Sequence, residues 1–182
     1  MKINYTAAAM AALTAGALLL FFRKGMKDAS KTSGMYVKNG ERGRGYSNNN
    51  PLNLDYSDRN NWLNKVPKQY NTDPRFEQFY TSMVYGFRAA MINIRTYITK
   101  YGLRTVQDIV YKWAPAADGN NPAKYTTDVC KITGMQPNTV ISTVSQQQMC
   151  ALVRAMAYIE NGYYVTGIDN YIQQAWNLYK QA

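Results

Sequence analysis

The sequence predicts a mainly helical α+β protein, with one N-terminal transmembrane helix followed by a helical domain that contains a short β region. Three observations predict this class. The chain opens with a long uncharged apolar run, later segments repeat apolar residues at helical spacing, and a polar asparagine-rich stretch between them interrupts regular structure. We expect a membrane anchor at residues 1–24, a flexible linker at 25–40 and one domain at 41–182, which is close to the usual domain size.

The apolar run at residues 4–22 carries no charge. As a helix it would be roughly 28 Å long, which is just enough to span a bilayer. Basic residues follow it at once and only Lys2 precedes it, so the positive-inside rule places the domain on the cytoplasmic side. A cleaved signal peptide is the alternative, but the run ends without a small-x-small cleavage site.

The domain begins with irregular structure. Residues 40–56 combine glycine, asparagine and proline, which predicts an ordered loop leading into a short strand. Residues 75–81 alternate apolar and polar side chains and predict a second short strand, in which Glu77 would point away from the core.

Helices follow, and each has a recognisable start or stop. Asn121 and Pro122 form a cap and first helical residue, and Ser145 with Gln148 fits a capping box. Glycines stand where several of the helices should end. The predicted helices cover about residues 82–101, 105–113, 121–132, 145–160 and 168–179.

The absence of histidine excludes the common histidine-based catalytic pairs, so acid–base chemistry falls to carboxylates, tyrosine or lysine. Glu160 is the main candidate for a catalytic acid because it ends an apolar helix, where partial burial and the helix dipole both raise a carboxyl pKa. The alternative is an exposed glutamate in a frayed last turn. Glu41, in a flexible basic segment, is the runner-up.

The cysteine and charge patterns limit which ligands and partners the chain is expected to have. Cys130 and Cys150 match no metal or redox motif, so we expect buried thiols, with a disulfide left open, and neither a metal nor a cofactor. The net charge of +10 predicts an anionic partner, which could be lipid, nucleic acid or an acidic cell-wall polymer. Nucleic acid is not expected as the principal partner, because the charges are dispersed and no binding motif is present.

The segment 44–54, RGYSNNNPLNL, resembles the Arg-Gly-Ile-Arg-Asn-Asn-Asn-Pro-Gly-Asn-Ile signature of phage virion proteins described as lysozyme-like or as lytic transglycosylases. Ser47 and Leu52 depart from that signature, in place of a basic residue and a glycine. Further matches follow in chain order at Phe76, Phe79, Gly86-Phe87-Arg88-Ala89, Tyr101-Gly102-Leu103-Arg104-Thr105-Val106, Trp113-Ala114-Pro115, Tyr125, Val129, Gly134 and Ile159-Glu160-Asn161-Gly162.

The resemblance implies a lysozyme-like domain whose substrate is peptidoglycan. Glu160 would be the general acid, and the asparagine loop would form part of the sugar cleft. Their chain order is reversed relative to lysozyme, which implies a circularly permuted site. The implied substrate-binding residues are Asn48, Asn49, Asn50 and Asn53, with Tyr46 or Tyr163 stacking on a sugar ring and Asp55 as a second carboxylate.

The function expected from the resemblance is a membrane-anchored virion protein that cleaves peptidoglycan glycan strands during host entry, as a lytic transglycosylase or a muramidase. Its expected location is the internal membrane of a virion, which it would reach through residues 4–22, beside other virion proteins. One alternative is a catalytically inactive structural or assembly protein of a membrane-containing virion. Another is a binder of lipid surfaces or nucleic acid that acts through charge alone.

Overall fold

The computed structural model describes residues 43–182. The predicted anchor at residues 1–24, the linker at 25–40 and Glu41 lie outside the described residues. From residue 43 onward, no helix combines the length and hydropathy that crossing a bilayer requires.

Helices dominate the described residues, as predicted. The α-helices are α1 (Arg44–Ser47), α2 (Met83–Tyr101), α3 (Val106–Trp113), α4 (Pro122–Thr133), α5 (Gln146–Asn161) and α6 (Ile168–Tyr179), with 3₁₀ turns at Lys68–Tyr70 and Ala116–Asp118. The helices expected from periodicity are confirmed with boundaries that shift by a residue or two. The short α1 is new, because the sequence indicated only irregular loop there.

Local capping explains where these helices begin and end. The Thr105 side chain accepts a hydrogen bond from the backbone of Asp108, whose carboxylate accepts one in return, so α3 has a complete capping box. Ser145 caps α5 in the predicted way. The predicted return bond from Gln148 is wrong, because its side chain accepts from Ser142 N and donates to Val140 O instead.

The expected strands are reduced to isolated antiparallel bridges within residues 43–182. They join Asp55 to Phe76, Lys65 to Phe79 and Thr105 to Val140. Extended pairing does not spread from the first two because Asn53 and Asn64 adopt left-handed φ angles of 50° and 59°, which turn the chain out of the strand direction.

Glu77 contradicts the prediction that it faces away from the core. Its side chain is fully buried, forms an ion pair with Lys65 at 3.1 Å and accepts a hydrogen bond from Ser57 N. Burial raises its pKa, and the Lys65 ammonium opposes that rise. The alternating pattern did not predict the position of Glu77 because the segment is not a regular strand.

Cys130 and Cys150 are free, partly buried thiols.

The core lies between the helices and the asparagine-rich loop. Helix α2 packs along α6, and α5 packs against α4 and α6. The loop docks on α2 at Gly86, where a Cβ atom would overlap the backbone oxygen of Asn49. A glycine at this position therefore lets the loop lie directly on the helix and fixes its position relative to the bundle.

Candidate active site

Glu160 lies in the last turn of α5, as predicted. Asn161 is the final helical residue, and Gly162 ends the helix with a left-handed φ of 78°. The carboxyl group is partly exposed but held by neighbours on other segments, so it is not a solvated charge in a frayed turn.

Three side chains from different parts of the fold converge on this carboxyl group. Asn53 Nδ2 donates to Oε2 at 3.0 Å and the Tyr125 hydroxyl donates to Oε1 at 2.9 Å. Trp113, at the end of α3, also acts on this carboxyl and lowers its pKa. The site thus joins the asparagine loop to the ends or faces of α3, α4 and α5.

Burial raises the pKa of Glu160, while the hydrogen bonds from Asn53 and Tyr125, the side chain of Trp113 and the charge of Arg75 oppose that rise. Its position at a helix C-terminus also favours the neutral carboxyl, as burial does. The pKa of Tyr125 is raised well above its ordinary value, first by burial and then by the Glu160 charge. Tyr125 therefore stays protonated and remains a hydrogen-bond donor to the carboxyl group.

Asn161 ties the end of α5 to the asparagine loop. Its side-chain amide donates to Pro51 O and to Ala157 O, each at 2.8 Å. The amide oxygens of Asn53 and Asn161 are buried without a hydrogen-bond partner among the described residues. Both pack against Gly45, where a Cβ atom would lie 2.9 Å and 2.7 Å from them, so only glycine fits between these two side chains.

Asn48, Asn49 and Asn50 were predicted to contact sugar, and in the structure they build the loop. Asn50 is fully buried, donates to Leu54 O and Glu77 O, and accepts from Leu54 N. Asn49 has a left-handed φ of 52° and donates to Phe79 O. In this conformation the polar atoms of Asn50 bind the backbone, and its direct contact with sugar stays a prediction.

Asn48 closes the base of the loop. It is buried, donates to Asp73 and accepts from Gln78. The Arg44 guanidinium also binds Asp73, at 2.6 Å, and holds the pKa of that carboxyl well below its usual range. Asn48 is therefore a structural residue in this network, and its predicted place in a sugar cleft stays a prediction.

The predicted stacking residues lie in different environments. Tyr46 is fully buried, packs edge-on against Tyr163 and donates to the Tyr163 backbone oxygen. Stacking of Tyr46 or Tyr163 on a sugar ring stays a prediction. Tyr163 is partly buried, and its hydroxyl accepts a hydrogen bond from Gly43 N. Asp55 is exposed and pairs with Arg75 at 2.8 Å.

Sequence reasoning missed Trp113, Tyr125 and Arg75 as neighbours of Glu160. The periodicity assigned Trp113 and Tyr125 only to helix faces, and both also belong to the series of matched fragments. Their presence among the matched fragments was the sequence signal that could have indicated a place in the site. Arg75 carried no sequence signal, because its approach to Glu160 depends on how the loop folds back.

The fold and this site define a small, mainly helical domain in which a polar loop covers a carboxyl group of raised pKa. Protein P5 of Pseudoalteromonas phage PM2 is 34% identical to the chain over 122 residues, which is 67% of this chain and 73% of that relative. The chain therefore belongs to the family of this phage protein. No family model matches the chain.

Proposed function

We propose that the domain cleaves the glycan strands of peptidoglycan with Glu160 as the general acid. One observation carries the proposal: Glu160 is partly buried at a helix end, and its carboxyl accepts hydrogen bonds from Asn53 of the loop and Tyr125 of α4. Because burial raises the pKa of Glu160, its carboxyl keeps its proton to higher pH than an exposed glutamate, which suits it to general acid catalysis. The resemblance of the loop and helix end to lysozyme-like phage proteins supports the same chemistry, with the two elements in permuted order.

In the proposed reaction Glu160 first protonates the glycosidic oxygen between N-acetylmuramic acid and N-acetylglucosamine, and the bond from C1 to that oxygen breaks. The hydrogen bonds from Asn53 and Tyr125 stabilise the carboxylate that remains. Glu160 then takes the proton of the muramyl 6-hydroxyl as O6 bonds to C1. This sequence restores the acid and leaves a 1,6-anhydromuramyl end.

This intramolecular route is favoured over hydrolysis because Asp55, the expected second carboxylate, is more than half exposed and already paired with Arg75. A retaining muramidase would need that group beside C1, free to act as nucleophile. A lytic transglycosylase needs only one acid–base residue, and Glu160 supplies it.

The proposed setting is a virion. Membership in a phage protein family supports this setting, and residues 4–22 would anchor the enzyme in an internal membrane. There it would be harmless to the producing cell and be delivered during entry. Immunoblotting of purified particles tests this placement. Detection only in late lysis fractions, and never in particles, would contradict it.

A catalytically inactive structural or assembly protein of a virion is the second candidate. The phage relationship supports it without any need for catalysis. This role is also favoured by the loop residues that stabilise the fold through their own hydrogen bonds, namely Tyr46, Asn48 and Asn50.

Release of label from dye-labelled sacculi separates the two candidates. The full chain should release label, and Glu160→Gln should lower the rate by about 100-fold or more, in the range expected for loss of a general acid. Glu41→Gln is the matched control, since it makes the same change at the other candidate acid, and it should retain the wild-type rate. A folded wild-type chain without activity would favour the structural role.

A further inference from the structure

Arg75 is joined to the loop segment that binds Glu160. Its carbonyl accepts a hydrogen bond from Tyr56 N, three residues after Asn53, whose side-chain amide donates to Glu160. The positive charge of Arg75 is close enough to oppose the rise in the Glu160 pKa. Asp55 raises the pKa of Arg75, and so does Asp118, in the 3₁₀ turn Ala116–Asp118. The side chain is 57% exposed. Arg75 is therefore an accessible cation beside the proposed catalytic acid.

The backbone of Arg75 is fixed by hydrogen bonds, and its guanidinium group contacts an aromatic ring. The residue's backbone N–H donates to Asp73 and its carbonyl accepts from Tyr56 N. The guanidinium carbon lies 5.0 Å from the centre of the Phe76 ring. Such support lowers the side-chain entropy that binding would otherwise cost.

Asp55 leaves part of this group available. The ion pair uses Nε of Arg75, at 2.8 Å from Asp55. Neither Nη atom has a hydrogen-bond partner among residues 43–182. A guanidinium group binds carboxylates through parallel N–H donors, so the Nη atoms retain the capacity to bind an anion.

We propose that Arg75 binds a carboxylate of the peptide carried by muramyl residues and so selects peptidoglycan over uncharged glycans. This inference rests on the proposed function, since it places the glycan at Glu160. Muramyl residues carry peptides with free carboxylates, whereas chitin-type glycans of N-acetylglucosamine are neutral. An exposed cation beside the acid therefore distinguishes these two classes of otherwise similar sugar chains.

Calorimetric binding to the full chain tests the inference in a Glu160→Gln background, which prevents turnover. The probes are a peptide-bearing tetrasaccharide of alternating N-acetylglucosamine and N-acetylmuramic acid, and chitotetraose. Arg75→Gln should weaken binding of the peptide-bearing glycan by about 10-fold, as expected for a lost charge-assisted hydrogen bond, and leave chitotetraose binding unchanged. Arg59→Gln, which removes another exposed arginine, is the control and should change neither.

The Arg75→Lys variant keeps the positive charge but loses the parallel donors. Its affinity for the peptide-bearing glycan should therefore lie between those of the wild type and Arg75→Gln. Added salt should weaken binding of the peptide-bearing glycan more in the wild type than in Arg75→Gln. Equal affinities of wild type and Arg75→Gln for the peptide-bearing glycan, in a chain that cleaves sacculi, would overturn the inference alone. Failure of the chain to bind either glycan or to cleave sacculi would overturn the proposed function as well.

Discussion

At the scale of single residues, the chemistry of Glu160 depends on the groups that surround its carboxyl. Burial favours the neutral acid, and the side chains of Asn53, Tyr125 and Trp113 favour the anion. A general acid–base group needs both forms during one turnover, so this opposition suits it to the proposed reaction. Where an exposed glutamate would already be ionised, Glu160 retains its proton to higher pH.

The Tyr125→Phe variant tests this balance. It removes a hydrogen bond that lowers the Glu160 pKa. We expect that pKa to rise further, so the alkaline limb of the kcat profile should move to higher pH, while kcat at the optimum falls by about 10-fold because the carboxylate is less stabilised. Tyr111→Phe, which alters an exposed tyrosine on α3, is the control. An unchanged alkaline limb in Tyr125→Phe would refute the role given to this hydroxyl.

The stability of the Glu160→Gln variant is a second test at this scale. Because the folded-state pKa of Glu160 is raised, the folded protein binds its proton more tightly than the unfolded chain. The stability contributed by that proton is complete below the unfolded pKa and is lost as pH rises through the folded pKa. Glu160→Gln should therefore gain stability relative to wild type as pH rises to neutral, as measured by urea unfolding at several pH values. A difference independent of pH would contradict this account.

At the scale of elements, helices could be predicted and strands could not. Helix α2 follows from local information, namely apolar residues at helical spacing between Ser82 and Gly102. The segment that contains Phe76 and Glu77 alternates in the way a strand does, yet its neighbours turn at Asn53 and Asn64 and its pairing stops at single bridges. Left-handed asparagine is a conformational choice that single-sequence alternation does not reveal.

The docking of the asparagine loop on α2 gives a prediction at this scale. Gly86→Ala places a Cβ atom in the space of the Asn49 backbone oxygen. We expect a loss of about 2 kcal/mol in the free energy of unfolding, in the range for overpacking, together with reduced catalysis as the loop moves from Glu160. Thermal unfolding and label release measure the two effects. Thr99→Ala, at an exposed position of the same helix, should leave both nearly unchanged.

The site shows the same limit of prediction as the fold. Glu160 was found because the end of a helix is visible in sequence, and Asn53 because it belongs to the asparagine motif. Trp113 and Tyr125 reach the carboxyl only when α3 and α4 pack beside α5. The structure shows Asn48 and Asn50 bonded within the loop, which the sequence did not indicate, because sequence does not tell whether an asparagine amide binds its own loop or a ligand.

At the scale of the whole molecule, charge and family bear on the proposed setting. The whole chain has a net charge of +10, which attracts it to anionic polymers, and peptidoglycan carries carboxylates on its peptides. Membership in a phage protein family supports the proposed virion setting. The central claim is that this basic helical domain cuts the glycan strand with Glu160.

Mass spectrometry of the products from purified peptidoglycan tests that claim most directly. The full chain should produce fragments that end in 1,6-anhydromuramic acid, and these should disappear in Glu160→Gln and persist in Glu41→Gln. Reducing ends in place of anhydro ends would indicate a muramidase with the same acid. Intact glycan strands after treatment with the folded wild-type chain would contradict the account.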